Sequence, residues 1–313
     1  MATSYFPSLR YFMNNIIIIR KLSTVSTPTE TLKFVPKHNP VSEANINNVQ
    51  SFINNSKKML FLTGAGISTE SGIPDYRSEE VGLYARTNHK PIQHMEFIKY
   101  PHVQKRYWAR NFVGWTTFSK REPNIIHYSI CELEKEKIST VVTQNVDNLH
   151  YKAGSQNVIE LHGTAFRVIC LKCEAFYDRH YIQERLIQLN SHITPTSTTI
   201  RPDGDVDIPL EIIEGFKPPL CESCGGMLKP DITFFGDNVP RARVEAVKSA
   251  VSESDSLLVL GSSLTVFSGY RIVLQALEEG KNVAIINIGP TRADHLVKLK
   301  VSAKCGDILP LVI

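Results

Sequence analysis

FLTGAGISTESGIPDYR, residues 61–77, continues an apolar run that begins at Met59-Leu60 and turns polar at a pair of glycines. Met59-Leu60-Phe61-Leu62 has no polar side chain, the pattern of a strand buried on both faces. The chain then turns at Gly64-Ala65-Gly66 and ends in a polar loop carrying Asp75, Tyr76 and Arg77. A strand that opens into a glycine turn leaves backbone N–H groups free to meet a phosphate, and small residues let a ligand approach closely. The dinucleotide fingerprint asks for a third glycine at position 69, where Thr69 stands. Alone, the pair does not separate a nucleotide site from an ordinary strand-turn-helix corner.

The same design recurs downstream. A second buried-strand candidate, 138–143, runs into Gln144-Asn145-Val146-Asp147-Asn148-Leu149-His150, and a third, 158–161, runs into His162-Gly163. Two more, at 256–260 and 283–286, end in Gly261-Ser262-Ser263 and Asn287-Ile288-Gly289. Helices are predicted from about Ser42, with Ile46, Val49 and Ile53 on one face, over 241–252, and over 270–279 with Gly280 as the stop. Short apolar strands alternating with helices predict an α/β fold, a Rossmann-like parallel sheet covered on both faces. Open sheets of this kind bind ligands beyond the carboxyl ends of their strands. Motifs at that edge after at least four strands argue for a site more strongly than any one of them.

Two segments interrupt the alternation. Residues 81–131 are rich in aromatics, including RYWARNFVGW at 106–115, and read as an inserted helical module. Residues 174–220 are polar, with a loop composition of Thr, Ser, Asp and Pro at 191–209. This polar segment is bracketed by Cys170-x-x-Cys173 and Cys221-x-x-Cys224-Gly225-Gly226. Two residues between thiols let both sulfurs reach one tetrahedral ion, and the glycines permit the tight second knuckle. A redox dithiol is the alternative reading of either pair alone. Four thiolates fill the coordination sphere of Zn²⁺, so the predicted ion is structural and takes no part in catalysis.

With 313 residues, 42% hydrophobic and 21% charged, the chain is long enough for one large or two unequal domains. A net charge of +4 with scattered basic residues gives no basic stripe for nucleic acid. No apolar run reaches the length of a membrane span. Residues 1–29 contain no Asp or Glu and carry Arg10, Arg20 and Lys21 among Ser, Thr, aromatic and aliphatic residues. That composition predicts a mitochondrial transit peptide; a secretory signal fits less well, because the run at 16–19 is short and Arg20-Lys21 follow it. Elsewhere, His127, His150 and Cys131 read as structural, and Trp108 and Trp115 as packing anchors.

Taken in order, GAGIS-x-x-SGIPDYR, TQNVDNLH, LHG, the two CxxC pairs, PDITFFGD, GSSL and NIG resemble the sirtuins, NAD-dependent protein lysine deacylases, over residues 40–313. DYRSE at 75–79, GLYAR at 82–86, RYWARNFVGW and NIGPTR at 287–292 are similar to the mitochondrial class II sirtuins of the sirtuin-four type. The resemblance implies a discontinuous NAD-binding domain (40–80, 132–167 and 229–313). It also implies a small domain with a helical module (81–131) and a zinc-binding module (168–228).

It further implies site roles. Gly64, Ala65, Gly66 and Ser68 would meet the NAD pyrophosphate, and Asp75, Tyr76 and Arg77 would belong to a cofactor loop. Gln144, Asn145, Val146 and Asp147 would hold the nicotinamide ribose and carboxamide. Gly261, Ser262, Ser263, Asn287, Ile288, Gly289 and Cys305 would surround the adenosine half. His162 would be the general base, and an acyl-lysine chain would lie beside Phe234-Phe235-Gly236-Asp237. The implied partners are acyl-lysine proteins, mitochondrial metabolic enzymes in the matrix, with neither nucleic acid nor membrane. Desuccinylating relatives use a Tyr and an Arg three apart; here Tyr84 is followed by Arg86, and Thr87 stands at the third position. This leaves room for lipoyl, biotinyl or methylglutaryl groups and, as the alternative activity, for protein mono-ADP-ribosylation.

Overall fold

Every residue of the strand Lys58–Thr63 after Lys58 is buried, because the sheet it belongs to is covered on both faces. The computed structural model describes residues 32–87, 91–197 and 199–313; the transit-like segment 1–29 lies outside the described residues. In chain order, β1 (Lys58–Thr63), β2 (Ile138–Thr143) and β3 (Val158–Glu160) build one half of a parallel sheet. The chain then leaves it for a small antiparallel sheet of β4 (Gly163–Cys170), β5 (Phe176–Asp178) and β6 (Leu228–Ile232). It returns with β7 (Ser256–Leu260), β8 (Asn282–Ile286) and β9 (Leu299–Val301), completing a six-stranded sheet in the order β3-β2-β1-β7-β8-β9. All five pairings are parallel, as the continuous apolar strands require. The order reverses between β1 and β7, and the crevice opens there.

Period-two alternation sorts the core. Met59 and Phe61 of β1, with Leu258 and Leu260 of β7, face α1 (Glu43–Asn54) and the helix Ile125–Glu136. Leu60, Leu62, Leu257 and Val259 face the opposite side, where Arg241–Glu253 and Phe267–Glu278 pack. α1 starts at Ser42, whose Oγ accepts from the Asn45 N–H, and buries Val49 and Ile53.

Apart from these two layers, α2 (Pro101–Phe118) buries Tyr107, Trp108, Phe112, Trp115 and Phe118 in a separate core. Its partners are Val168 of β4, Leu228 of β6 and residues Ile182 and Leu186 of the helix Arg179–Leu189. Trp108 Nε1–H donates to Leu228 O at 3.0 Å. The Arg179 guanidinium is fully buried over the Trp115 ring, 4.5 Å from its centroid, and donates to Asn111 and Gln183. Burial lowers its pKa to about 9.

Two expected boundaries move, and one polar segment is partly helical. The helix Ile125–Glu136, here α3, presses Ile126, Ile130 and Leu133 on β1 and β2, so it packs with the large sheet and the module expected to end at 131 ends before it. β4 and β6 pair with each other, so 163–167 and 229–232, expected in the NAD domain, contribute to the small sheet. The polar segment 174–220 contains a full helix, α4 (Arg179–Leu189), capped by Asp178.

His127 and His150 lie in the core beside α3, their rings edge to face with centroids 5.1 Å apart. Burial pushes both imidazoles down, His150 to about 3 from 6.5. The unfolded chain therefore takes up protons below pH 6.5 that the folded chain refuses, and stability drops as pH falls. For His150 the loss is expected to approach ~1.4 kcal/mol per unit and to level near pH 3. Urea unfolding of wild type and His150→Gln between pH 7.5 and 5 checks this: the variant should lose less stability over that range. Equal losses would contradict it.

Candidate active site

At the switch point, Thr63 ends β1 beside Leu260, the end of β7. The two loops that follow touch: Gly64 N–H donates to Leu260 O at 3.0 Å, and Gly66 N–H to Gly261 O at 2.9 Å. A Cβ at Gly64 would lie 2.7 Å from Ser262 Cβ, and one at Gly66 2.8 Å from Gly261 O. Thus the glycines let two backbones meet at the crevice, beyond any ligand they admit. Thr69, where a third glycine was lacking, folds its hydroxyl back on Gly66 O at 2.9 Å within a 3₁₀ turn, Ala65–Ser71. Gly66→Ala is expected to cost about 1–3 kcal/mol of stability by overpacking and to weaken NAD binding about tenfold or more. Thermal melts and NAD calorimetry check this, and wild-type values in both would contradict it.

The loop after β2 supplies the floor. Gln144 N–H donates to Thr63 O at 2.9 Å, and its side-chain amide donates to Ser262 Oγ at 2.8 Å. Asn145 Nδ2 donates to Gly64 O and Ser68 Oγ, both at 3.1 Å. Asp147 is buried and accepts from Ser68 Oγ at 2.6 Å and Leu149 N–H at 3.0 Å. Burial raises its carboxyl pKa against the pull of these donors. His162 follows β3, its Nδ1 3.0 Å from Gln144 O and its Nε2 2.7 Å from Ser268 Oγ. A carbonyl only accepts, so Nδ1 carries the proton and Nε2 holds the basic lone pair. Burial lowers the His162 pKa, so the ring stays neutral and basic below the usual imidazole range.

Every residue assigned above to the base or the cofactor lines one cleft of about 960 Å³. Asp75 accepts from the Arg77 and Ser78 N–H groups, which shapes the loop at 75–78. Tyr76 is packed 5.8 Å from the Tyr84 ring, and burial raises its phenol pKa. Cys305 is buried with its thiol pushed up to about 12, a neutral wall residue. Of the Phe pair, Phe234 is core, edge to face with Phe97 and Tyr107, while Phe235 is partly exposed. The Phe235 carbonyl already accepts from His94 N–H at 2.9 Å.

Among the lining residues that the sequence reading did not assign to the site are Ser268, Arg271 and Asp203. Ser268 was missed because Phe267–Glu278 (α6; α5 is Arg241–Glu253) begins three residues before the expected start and no side chain caps it. Arg271 lies inside the expected helix, where no motif marks the face turned to the cleft. Asp203 reaches the cleft from the 191–209 loop, which Arg110 and Arg201 clamp through Asp205 at 2.9 and 2.8 Å. Burial lifts the Asp203 carboxyl to about 6. No local pattern signals so long-range a contact.

Apart from the cleft, Cys170, Cys173, Cys221 and Cys224 bring their sulfurs within 4.8 Å of one another. The 170–224 and 173–221 separations are 3.5 and 3.6 Å. Zinc–sulfur bonds of about 2.3 Å in a tetrahedron give sulfur–sulfur edges near ~3.8 Å, so the set fits one Zn²⁺. Tyr177 OH lies 3.1 Å from Cys221 Sγ, and a Cβ at Gly226 would meet Lys172 Cβ at 2.7 Å, which explains that glycine.

The chain is also similar to proteins of known sequence and structure. The chain is 57% identical to the NAD-dependent protein deacylase Sirt4 of Drosophila melanogaster, over 92% of this chain and 93% of that protein. It is 51% identical to the human NAD-dependent protein lipoamidase sirtuin-4, mitochondrial, over 89% of each. A solved structure of Sir2 bound to acetylated peptide superposes with a TM-score of 0.66 at 28% identity, covering 84% of this chain and 95% of that one. The family model described as Sir2 family matches residues 64–268, and with these relatives it shows that the chain belongs to the Sir2 family.

Proposed function

We propose that NAD and an acyl-lysine segment meet in the 960 Å³ cleft and that His162 is the base that turns their encounter into deacylation. As a member of the Sir2 family the chain is an NAD-dependent protein deacylase with a structural zinc site. The observation that carries the assignment of the base is the His162 clamp: Gln144 O fixes the proton on Nδ1 and leaves Nε2 basic at the cleft.

NAD, when bound, supplies a glycosidic bond to nicotinamide whose cleavage leaves an electrophilic ribose carbon for the acyl oxygen. The turn at Gly64, Ala65, Gly66 and Ser68, facing Gly261, Ser262 and Ser263, would hold the pyrophosphate by backbone N–H groups and hydroxyls. Asn287, Ile288, Gly289 and Cys305 would line the adenosine half. Asp75, Tyr76 and Arg77 would close over the middle, with Asp75 holding the loop through its own backbone bonds. Gln144, Asn145 and Asp147 would orient the nicotinamide ribose and carboxamide, an Asn and an Asp offering donor and acceptor to an amide. Neutral His162 would take a proton from a ribose hydroxyl at Nε2, and its low pKa keeps it ready near neutrality.

For the acyl group, the Tyr-Arg pair of desuccinylating relatives is not assembled. Arg86 donates to Val81 O at 2.7 Å and stacks over Phe34, and neither Tyr84 nor Arg86 lines the cleft among the described residues. The wall offered instead includes Ile92, Tyr107 and Phe234. It supports an acyl chain with a long apolar body, of the lipoyl or biotinyl kind. The human relative's name, a lipoamidase, supports the same reading, and its designation as mitochondrial supports a mitochondrial location. A panel of acyl-lysine peptides incubated with NAD and analysed by mass spectrometry tests this. Lipoyl or biotinyl peptides should yield free lysine, nicotinamide and acyl-ADP-ribose ahead of succinyl and methylglutaryl peptides. Preference for succinyl, or ADP-ribose left on protein without deacylation, would overturn it.

A further inference from the structure

The helix α6 enters the cleft unusually close to the catalytic strip. Its first turn places Ser268 against His162 and Gly269 against Gln144. Ser268 Oγ is 2.7 Å from His162 Nε2. A Cβ at Gly269 would lie 2.6 Å from Gln144 Oε1, so that position admits only hydrogen while Gln144 keeps its place. Consecutive residues of one helix therefore meet the two residues whose mutual bond, Gln144 O to His162 Nδ1, sets the tautomer.

We propose that Ser268 is a positioning residue for the base, resting on the reading of His162 given above. With the ring proton on Nδ1, Nε2 accepts and the Ser268 hydroxyl donates. The imidazole is thereby held at both nitrogens, by the β2 loop on one side and by the start of α6 on the other. A ring held only at Nδ1 swings about its Cβ–Cγ bond and carries Nε2 across the cleft. Held at both, it keeps the lone pair where an incoming hydroxyl meets it. When that hydroxyl arrives, Ser268, which is partly exposed in the cleft, gives up its bond to Nε2 and the substrate proton takes the vacated lone pair. No bond other than hydrogen bonds changes at Ser268. Small errors of placement in such a base cost up to about a hundredfold, and the loss of one of two tethers should cost part of that.

The test pairs kinetics with a spectrum that needs no turnover. In full-length Ser268→Ala, kcat on an acyl-lysine peptide should fall about tenfold, while KM for NAD and for peptide stay within about twofold. In the ligand-free protein, the ¹⁵N resonance of His162 Nε2 should move downfield as it loses its donor, with the Nδ1–H tautomer retained. Ser268→Thr, which keeps the hydroxyl, should restore both the resonance and kcat. An unmoved Nε2 resonance in Ser268→Ala, an unchanged kcat, or a Thr variant as impaired as Ala would each overturn the assignment. If wild type shows no NAD-dependent deacylation, the functional reading fails, and the resonance still decides whether Ser268 holds the ring.

Discussion

His162→Ala is expected to lower kcat for nicotinamide release by about 10²- to 10⁴-fold, the range for removing a positioned general base. Binding should survive, because the groups proposed to hold NAD belong to the segments after β1, β2, β7, β8 and β9, and of their hydrogen bonds described above only Gln144 O to Nδ1 involves the imidazole. The pH profile sharpens the case. Burial favours the neutral ring, so the acid limb of kcat/KM in wild type should lie below 6.5, the ordinary imidazole value. Stopped assays of nicotinamide release across pH check both points. An active His162→Ala enzyme would remove His162 from the chemistry, and an acid limb above 6.5 would contradict the sign of its shift.

Loss of the zinc site should have the largest effect on stability. Cys170 and Cys221 are themselves buried in the core that holds Trp108, Phe216 and Leu228, so the metal knot is continuous with the packing of the small sheet. Structural zinc in small modules carries about 10–16 kcal/mol of apparent binding energy, and metal binding there is folding energy. Cys221→Ser is expected to lose the ion and about 3 kcal/mol or more. At about 2 °C per kcal/mol for a chain of this size, Tm falls by roughly 6 °C or more. Activity should fall with the folded fraction and be recovered on cooling, because no thiol of this set lines the cleft. Metal analysis alongside calorimetry checks it: a metal-free variant that melts with wild type would refute a structural role.

Much of this was legible in the chain. The central strands β1, β7 and β8 announced themselves because burial on both faces makes them almost continuously apolar, and the carboxyl ends of the strands carried the polar motifs that converge on the cleft. The cysteine spacing announced the metal site for the same reason, since coordination geometry acts over two residues. Other features depend on which surface a helix meets. The apolar face of α3 is evident from Ile126, Ile130 and Leu133, yet nothing in it distinguishes the large sheet from the small domain. β9 is three residues with Lys300 at its centre, too short for a period to show. Asp203 and Ser268 reach the site through tertiary packing, one on a loop clamped by two arginines, the other on a helix whose start has no capping side chain.

The central claim is that this cleft cleaves NAD only in company with an acyl-lysine. The direct measurement is nicotinamide released per lysine freed, on an acyl-lysine peptide and on the same peptide without its acyl group. The account predicts one nicotinamide for each lysine, acyl-ADP-ribose as the other product, and no release with the bare peptide. Equal release with both peptides, or reduction of NAD to NADH in place of its cleavage, would contradict it.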